Sequence, residues 1–170
     1  GIISIIFGML FVITNLDHEK KISLPQAFLL TALSWISIAI FGSLPFVFSN
    51  LDLSITDSFF ESMSGITTTG STIITNLNDS PKAILLWRAM LQWLGGIGII
   101  VMAITLMPIM NVGGMQLFKI SDHNSGEKIL PKSKEITLRL ILIYLVLTTI
   151  CALFYNIFGM GLFDSLTHSM

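Results

Sequence analysis

Charge is what this sequence has least of. Asp, Glu, Lys and Arg together make up 11% of its 170 residues, where a soluble domain carries about a quarter, and that scarcity excludes a soluble fold. The formal net charge is −1, so there is no basic surplus of the kind that binds nucleic acid. Cys151 is the single cysteine and lies in an apolar run, which excludes a disulfide framework and a cysteine-based metal site. No Ser–His pairing and no His/Glu metal-ligand spacing appears. The opening apolar run, Gly1 to Thr14, lacks the basic start and small-residue cleavage site of a signal peptide. It is too short to span a bilayer. Because Gly1 rather than Met opens the sequence, this run reads as the end of a preceding transmembrane helix that has been cut. What is abundant is apolar: 53% hydrophobic residues and a mean hydropathy of +0.83 place the chain in a membrane.

Three longer apolar segments follow, from Pro25 to about Asn50, from about Ala83 to Met110, and from Ile136 to Phe158. Pro25 suits the first turn of a helix, where its missing N–H costs nothing, and Pro45 is placed to kink the far end. Lys20, Lys21, Lys119, Lys128, Lys132 and Lys134 fall in the loops at 15–24 and 111–134, with Arg139 close behind. The opposite side offers Asp52, Asp57, Asp79 and one lysine, Lys82. By the bias of Lys and Arg toward the inner side, both basic loops are cytoplasmic, and 111–134 is a cytoplasmic loop.

Between the first two spans lies the most informative stretch, DSFFESMSGITTTGS from Asp57 to Ser71. Residues 57–65 read as a short helix. About ten helical residues rise only ~15 Å, half of a ~30 Å hydrocarbon core. Such a helix enters the membrane and turns back, and the strip 67–71 that follows must then be buried or line a water-filled path. A re-entrant helix followed by small Thr and Gly residues presents carbonyl oxygens to a cation. Thr67, Thr68, Thr69, Gly70 and Ser71 are therefore the candidate filter, binding a cation through neutral oxygens, with Thr hydroxyls as further ligands. Gly70 answers the need for φ > 0 where a carbonyl turns to the axis. The carboxyl end of the short helix, near Gly65, adds negative potential toward the cavity. Thr56 or Ser58 is placed to cap that helix, and Ser58 with Glu61 fits a capping box. Arg88 lies at a depth similar to Glu61, and an intramembrane charge requires a partner; the pair would brace the filter from behind, the alternative being an Arg88 that snorkels outward alone.

The motif repeats. Asp57-Ser-Phe-Phe-Glu-Ser-Met63 aligns with Asp164-Ser-Leu-Thr-His-Ser-Met170, identical at four of seven positions, and each copy follows a long apolar segment. The fold class is thus an all-α membrane protein built from repeated span–re-entrant pore helix–span units, similar to a K⁺ channel. Residues 25–110 form the first unit, and 136–170 start the second, with its pore helix at 164–170. Several units must surround one axis to complete a pore.

SLPFVFS (43–49), ITDSFFESMSGITTTGST (55–72), LLWRAMLQWLGGIGIIVMA (85–103) and VGGMQLF (112–118) together resemble the Trk/Ktr/HKT superfamily of K⁺ transporters, and within it the membrane subunit of bacterial Trk systems. The resemblance implies four non-identical units on one polypeptide around a single pore, of which this sequence holds a fragment. It implies a filter at Thr67–Ser71 with one glycine, Gly70; the family more often has Ala where Ser71 stands. It implies K⁺ as the transported ion, a bacterial inner-membrane location, a homodimer in the lipid bilayer, and a cytosolic nucleotide-binding ring that gates the pore.

Passive and ion-coupled transport both fit the residues, as do K⁺ and Na⁺ preference, since one glycine per unit suggests a filter less rigid than the K⁺-channel signature. A non-transporting scaffold with a degenerate filter is the alternative reading. An intramembrane aspartyl hydrolase would need Asp57 and Asp164 close together, whereas an acid at the start of each short helix is explained by helix capping. Enzymatic function is not expected. His168 reads as structural, Gly95, Gly96 and Gly98 as close-packing positions or a hinge, and Phe59, Phe60, Trp87 and Trp93 as packing or interface anchors.

Overall fold

The computed structural model describes residues 2–14, 24–110 and 129–170. Among these the chain forms helices α1 (Ile2–Thr14), α2 (Leu24–Val47), α3 (Ile55–Ile66), α4 (Lys82–Met110), α5 (Ile129–Ile157) and α6 (Leu162–Ser169), with a 3₁₀ turn at Leu77–Asp79. Three helices are long and apolar enough to cross a membrane, over Pro25–Val47, Lys82–Ile104 and Glu135–Ile157. Each window of 23 residues rises about 34 Å, enough for a ~30 Å core. The 12 residues of α3 rise only about 18 Å.

Local chemistry fixes where α3 begins. Ser54 is its N-cap: the Ser54 hydroxyl accepts the Asp57 N–H at 3.1 Å, and the Asp57 carboxylate accepts the Ser54 N–H at 3.2 Å and the Ser54 hydroxyl at 2.7 Å. This reciprocal box satisfies two groups at the helix start and corrects the expected Ser58–Glu61 box. The helix starts at Ile55, ahead of the expected Asp57, so Thr56 and Ser58 are not caps, and Ser58 and Glu61 lie in its buried interior. Replacing Ser54 by alanine is expected to cost about 1 kcal/mol, read as a lower thermal midpoint in detergent.

The core lies where α2, α3 and α4 meet. Phe46, Ile66, Ile74, Ile84 and Leu91 form a buried cluster, with Trp35, Met63 and Trp87 packed on it. Two glycines allow the helices to come close. The Ser62 side chain occupies the place a side chain at Gly42 would take, and Leu91 packs over Gly65. The Trp87 indole N–H donates to the Gly42 carbonyl at 2.9 Å, tying α4 to α2. Elsewhere the spans expose apolar side chains, such as Leu29 and Leu33 on α2 and Leu142 and Leu147 on α5, as lipid-facing helices do.

Helix α5 begins at Ile129, so residues 129–134, expected to be loop, are helical. Pro131 sits in its first turn, where its lack of an N–H costs no bond. The rest of the two basic loops, 15–23 and 111–128, lies outside the described residues, and with it the sided distribution of their lysines. At the other end α5 closes with a Schellman turn: Gly159 has φ +98°, its N–H donates to the Asn156 carbonyl, and the Met160 N–H donates to that of Tyr155. Helix α6 then starts two residues before Asp164, as α3 starts two before Asp57. Ser165 is buried as its counterpart Ser58 is, so the sequence repeat has a common structural register. Glycine at 161 leaves α6 without the side-chain cap that Ser54 gives α3.

Candidate functional site

The strip after α3 folds back along it. Ser64 donates its hydroxyl to the Ser71 carbonyl at 2.7 Å. One turn earlier, a Glu61 carboxylate oxygen accepts the Thr72 hydroxyl at 2.6 Å and the Ile73 N–H at 2.5 Å. Successive residues of the strip thus meet successively earlier positions of the helix, which makes α3 and residues 67–73 a descending and returning pair.

At the turn, the amides face the helix end. The N–H groups of Thr67, Thr68 and Thr69 donate to the carbonyls of Met63, Gly65 and Ser64, each at 3.0 Å, and Gly70 N–H reaches the Ser64 carbonyl at 3.4 Å. A trans peptide points its carbonyl opposite to its N–H, and no peptide bond here is cis. The carbonyls of Thr67, Thr68 and Thr69 are therefore turned away from α3, and among the described residues no hydrogen bond is made to them or to that of Gly70. The Ser71 carbonyl differs, because Ser64 holds it to the helix. The carbonyls of Met63, Ser64 and Gly65 are occupied by the strip's own amides and that of Ile66 faces Gly95, so the helix end presents strip carbonyls outward in place of its own.

Two residues of the turn have left-handed backbone. Gly70 has φ +77°, as its residue type suggests, and Thr68 has φ +59°. A β-branched residue there is strained, and such strain persists only where the surroundings impose it. The Thr67 hydroxyl donates to the Met63 carbonyl at 2.7 Å. Having one proton, it must accept from the Thr69 hydroxyl 2.9 Å away, which leaves the Thr69 oxygen with its lone pairs free.

One face of α4 supports this turn along its length. Arg88 pairs with the Glu61 carboxylate and donates to the Thr72 hydroxyl at 3.3 Å. The Gln92 amide lies behind Gly70, and Gly95 lies against the Ile66 carbonyl. Glu61 is fully buried and Arg88 nearly so, at 0% and 12% side-chain exposure. The structure thus brings Glu61, Arg88 and the strip together. Sequence reasoning missed Ser64 and Thr72, which lie within and at the edge of the motif, and the left-handed Thr68. The hydrolase arrangement finds no support in the geometry: Asp57 is engaged in its cap, and the His168 ring bonds the Asp164 carbonyl of its own helix at 2.8 Å. No cluster of three metal-binding side chains occurs among the described residues.

Residues 1–164 match the family model TrkH, described as cation transport protein. Over 145 residues the chain is 44% identical to the Trk system potassium uptake protein TrkI of Halomonas elongata, covering 85% of this chain and 30% of that protein. It is 44% identical over 158 residues to the Trk system potassium uptake protein TrkH of Escherichia coli K12, covering 91% and 33%. The crystal structure of the potassium transporter TrkH from Vibrio parahaemolyticus superposes with a TM-score of 0.73 at 40% identity, covering 90% of this chain and 30% of that one. The chain spans about a third of the length of the curated relatives it matches.

Proposed function

This chain belongs to the TrkH family of cation transport proteins, transporters and not enzymes, and from that premise we propose that it supplies part of a pore through which K⁺ enters the cell. In this reading α2, α3, the strip and α4 form one unit, with α3 re-entering from the outer side, and α5 and α6 begin a second. Four such units surround the path, and the whole protein sits in the bacterial inner membrane. By the family's pattern it is a homodimer gated by a cytosolic nucleotide-binding ring.

The observation that carries this reading is the orientation of the turn: its amides are spent on α3, and the carbonyls of Thr67, Thr68, Thr69 and Gly70 are left for a ligand that wants neutral oxygens. A dehydrated K⁺ is such a ligand. The Ser71 carbonyl contributes less directly, since Ser64 holds it, and Ser71 closes the outer end of the site. Glu61 and Arg88 support the filter from outside the ion path.

Gly70 tests this. A Cβ there would lie 3.5 Å from Gln92, an ordinary contact, so the cost of alanine is conformational. A left-handed residue with a Cβ costs about 1–2 kcal/mol, and Gly70→Ala is expected to lower rubidium uptake about tenfold on that scale, or to let Na⁺ compete, in K⁺-uptake-deficient cells expressing the full-length protein. Unchanged uptake and ion preference at normal membrane levels would remove the strip from the ion path and favour a scaffold role.

A further inference from the structure

Along the outer leg of the strip, Ser71 to Ile74, one hydroxyl joins three parts of the site. Thr72 donates to Glu61 at 2.6 Å and accepts from the Ile74 N–H at 3.1 Å and from Arg88 at 3.3 Å. A threonine hydroxyl has one proton and two lone pairs, so all its capacity is used. Each partner belongs to a different part of the site: Glu61 to α3, Arg88 to α4, and Ile74 to the chain leaving the filter and entering the buried core. Thr72 also shares a Glu61 oxygen with the Ile73 N–H at 2.5 Å. The fully buried carboxylate thus has its charge matched by Arg88 and its other oxygen matched by the strip.

We propose that Thr72 is a specificity-determining positioning residue, which sets ion preference from outside the ion path by fixing the height of the strip between α3 and α4. The proposal rests on the reading of residues 67–71 as the filter. The inner end of the strip is fixed by four amides on the end of α3. The outer end has Ser64 on the Ser71 carbonyl, the Ile73 N–H on Glu61 and the Glu61–Thr72–Arg88 junction. With the junction intact, the distance between the ends is set, and the carbonyls between them cannot close on a smaller ion. Without the Thr72 hydroxyl, Arg88 and the Ile74 amide each lose an acceptor and Glu61 loses a donor. The strip then gains freedom to collapse around Na⁺, although no group facing the ion has changed.

The test compares Thr72→Val, which keeps the shape and removes the hydroxyl, with Thr72→Ser, which keeps the hydroxyl, and with Gly70→Ala, in the full-length protein. The readout is Na⁺ competition against rubidium uptake, normalised to protein in the membrane. Thr72→Val is expected to lower K⁺-over-Na⁺ preference about tenfold, on the scale of a lost hydrogen bond to a charged group, with Thr72→Ser close to the parent. A merely structural role would lower the amount of protein or the uptake rate and leave the preference unchanged. Wild-type preference in Thr72→Val, with altered preference in Gly70→Ala, overturns the proposal and leaves the filter reading standing. Wild-type preference in both removes the filter reading and the proposal with it. Should Thr72→Val not reach the membrane, Thr72→Ala carries the same comparison, and an unchanged preference there overturns the proposal equally.

Discussion

Alanine at Gly95 is expected to abolish uptake, while alanine at Gly98, one turn away, is expected to change it little. A Cβ at Gly95 would overlap the Ile66 carbonyl oxygen and lie 2.8 Å from the carbonyl carbon and 3.2 Å from Cα of the same residue. All three atoms are backbone, so no rotamer change relieves the collision; α3 and α4 must separate. Ile66 is the last residue of α3, and the next peptide begins the strip, so the displacement falls on the carbonyls proposed to bind the ion. Overpacking a tight core costs about 1–3 kcal/mol or more, and the loss of uptake is expected to exceed the loss of protein. Gly96 should be intermediate, since a Cβ there meets the Tyr144 hydroxyl at 2.9 Å, the far end of a side chain with some freedom. At Gly98 the nearest atom is Trp35 at 3.9 Å, an ordinary contact. Rubidium uptake per unit of membrane protein across the three variants checks the order. Equal effects at Gly95 and Gly98 would show that the glycines act through helix flexibility, the hinge alternative, and not through the contact at Ile66.

How far the site was legible depended on whether an interaction was local. The membrane spans were readable because hydropathy over twenty residues needs no tertiary information, and α4 begins at Lys82, within a residue of its expected start. The ends of helices were less so. Two overlapping patterns, Ser54-x-x-Asp57 and Ser58-x-x-Glu61, both fit a capping box. Tertiary structure chose between them, because Glu61 is buried against Arg88 and Thr72, and only the first pair stays at the surface. At α5 the polar residues before Ile136 suggested a loop, yet a helix extends beyond its apolar window wherever nothing stops it, and Pro131 is tolerated in the first turn of this one.

Within the strip, Gly70 was readable from residue type, because glycine is the default where φ is positive. The left-handed Thr68 was not, since a threonine gives no sign of it; the hydrogen bonds of residues 67–70 to the helix end impose it. Ser64 and Thr72 were hidden for a related reason. Each matters only once the strip is known to return beside α3, and that return places residues 64 and 71, then 61 and 72, opposite one another. From depth the Glu61–Arg88 pair was one of two readings, beside an arginine that snorkels outward alone, because a charge inside the bilayer needs a partner or a route to water; the structure forms the pair.

That pair sets the second large effect. Glu61→Ala and Arg88→Ala are each expected to cost about 3–5 kcal/mol, since each leaves the other's charge buried without its counterion. The double variant should cost little more than either single one, because the second deletion removes the charge that the first had stranded. In a thermodynamic cycle on purified protein, the coupling should then approach the cost of one deletion. Glu61→Gln separates charge from hydrogen bonding. Its carbonyl oxygen still accepts from Thr72 and the Ile73 N–H while the ion pair is lost, so it should fall between the parent and Glu61→Ala in stability and in rubidium uptake. Arg88→Ala is expected to suppress the defect of Glu61→Gln, because a neutral amide suits a site with no cation. The alternative, an arginine that reaches the interface by itself, predicts the opposite pattern: independent costs that add in the double variant, and no benefit from adding Arg88→Ala to Glu61→Gln. Additivity within about 0.5 kcal/mol, the behaviour of sites that do not interact, would reject the brace, and near-complete coupling would place the charge balance of the filter on these two residues.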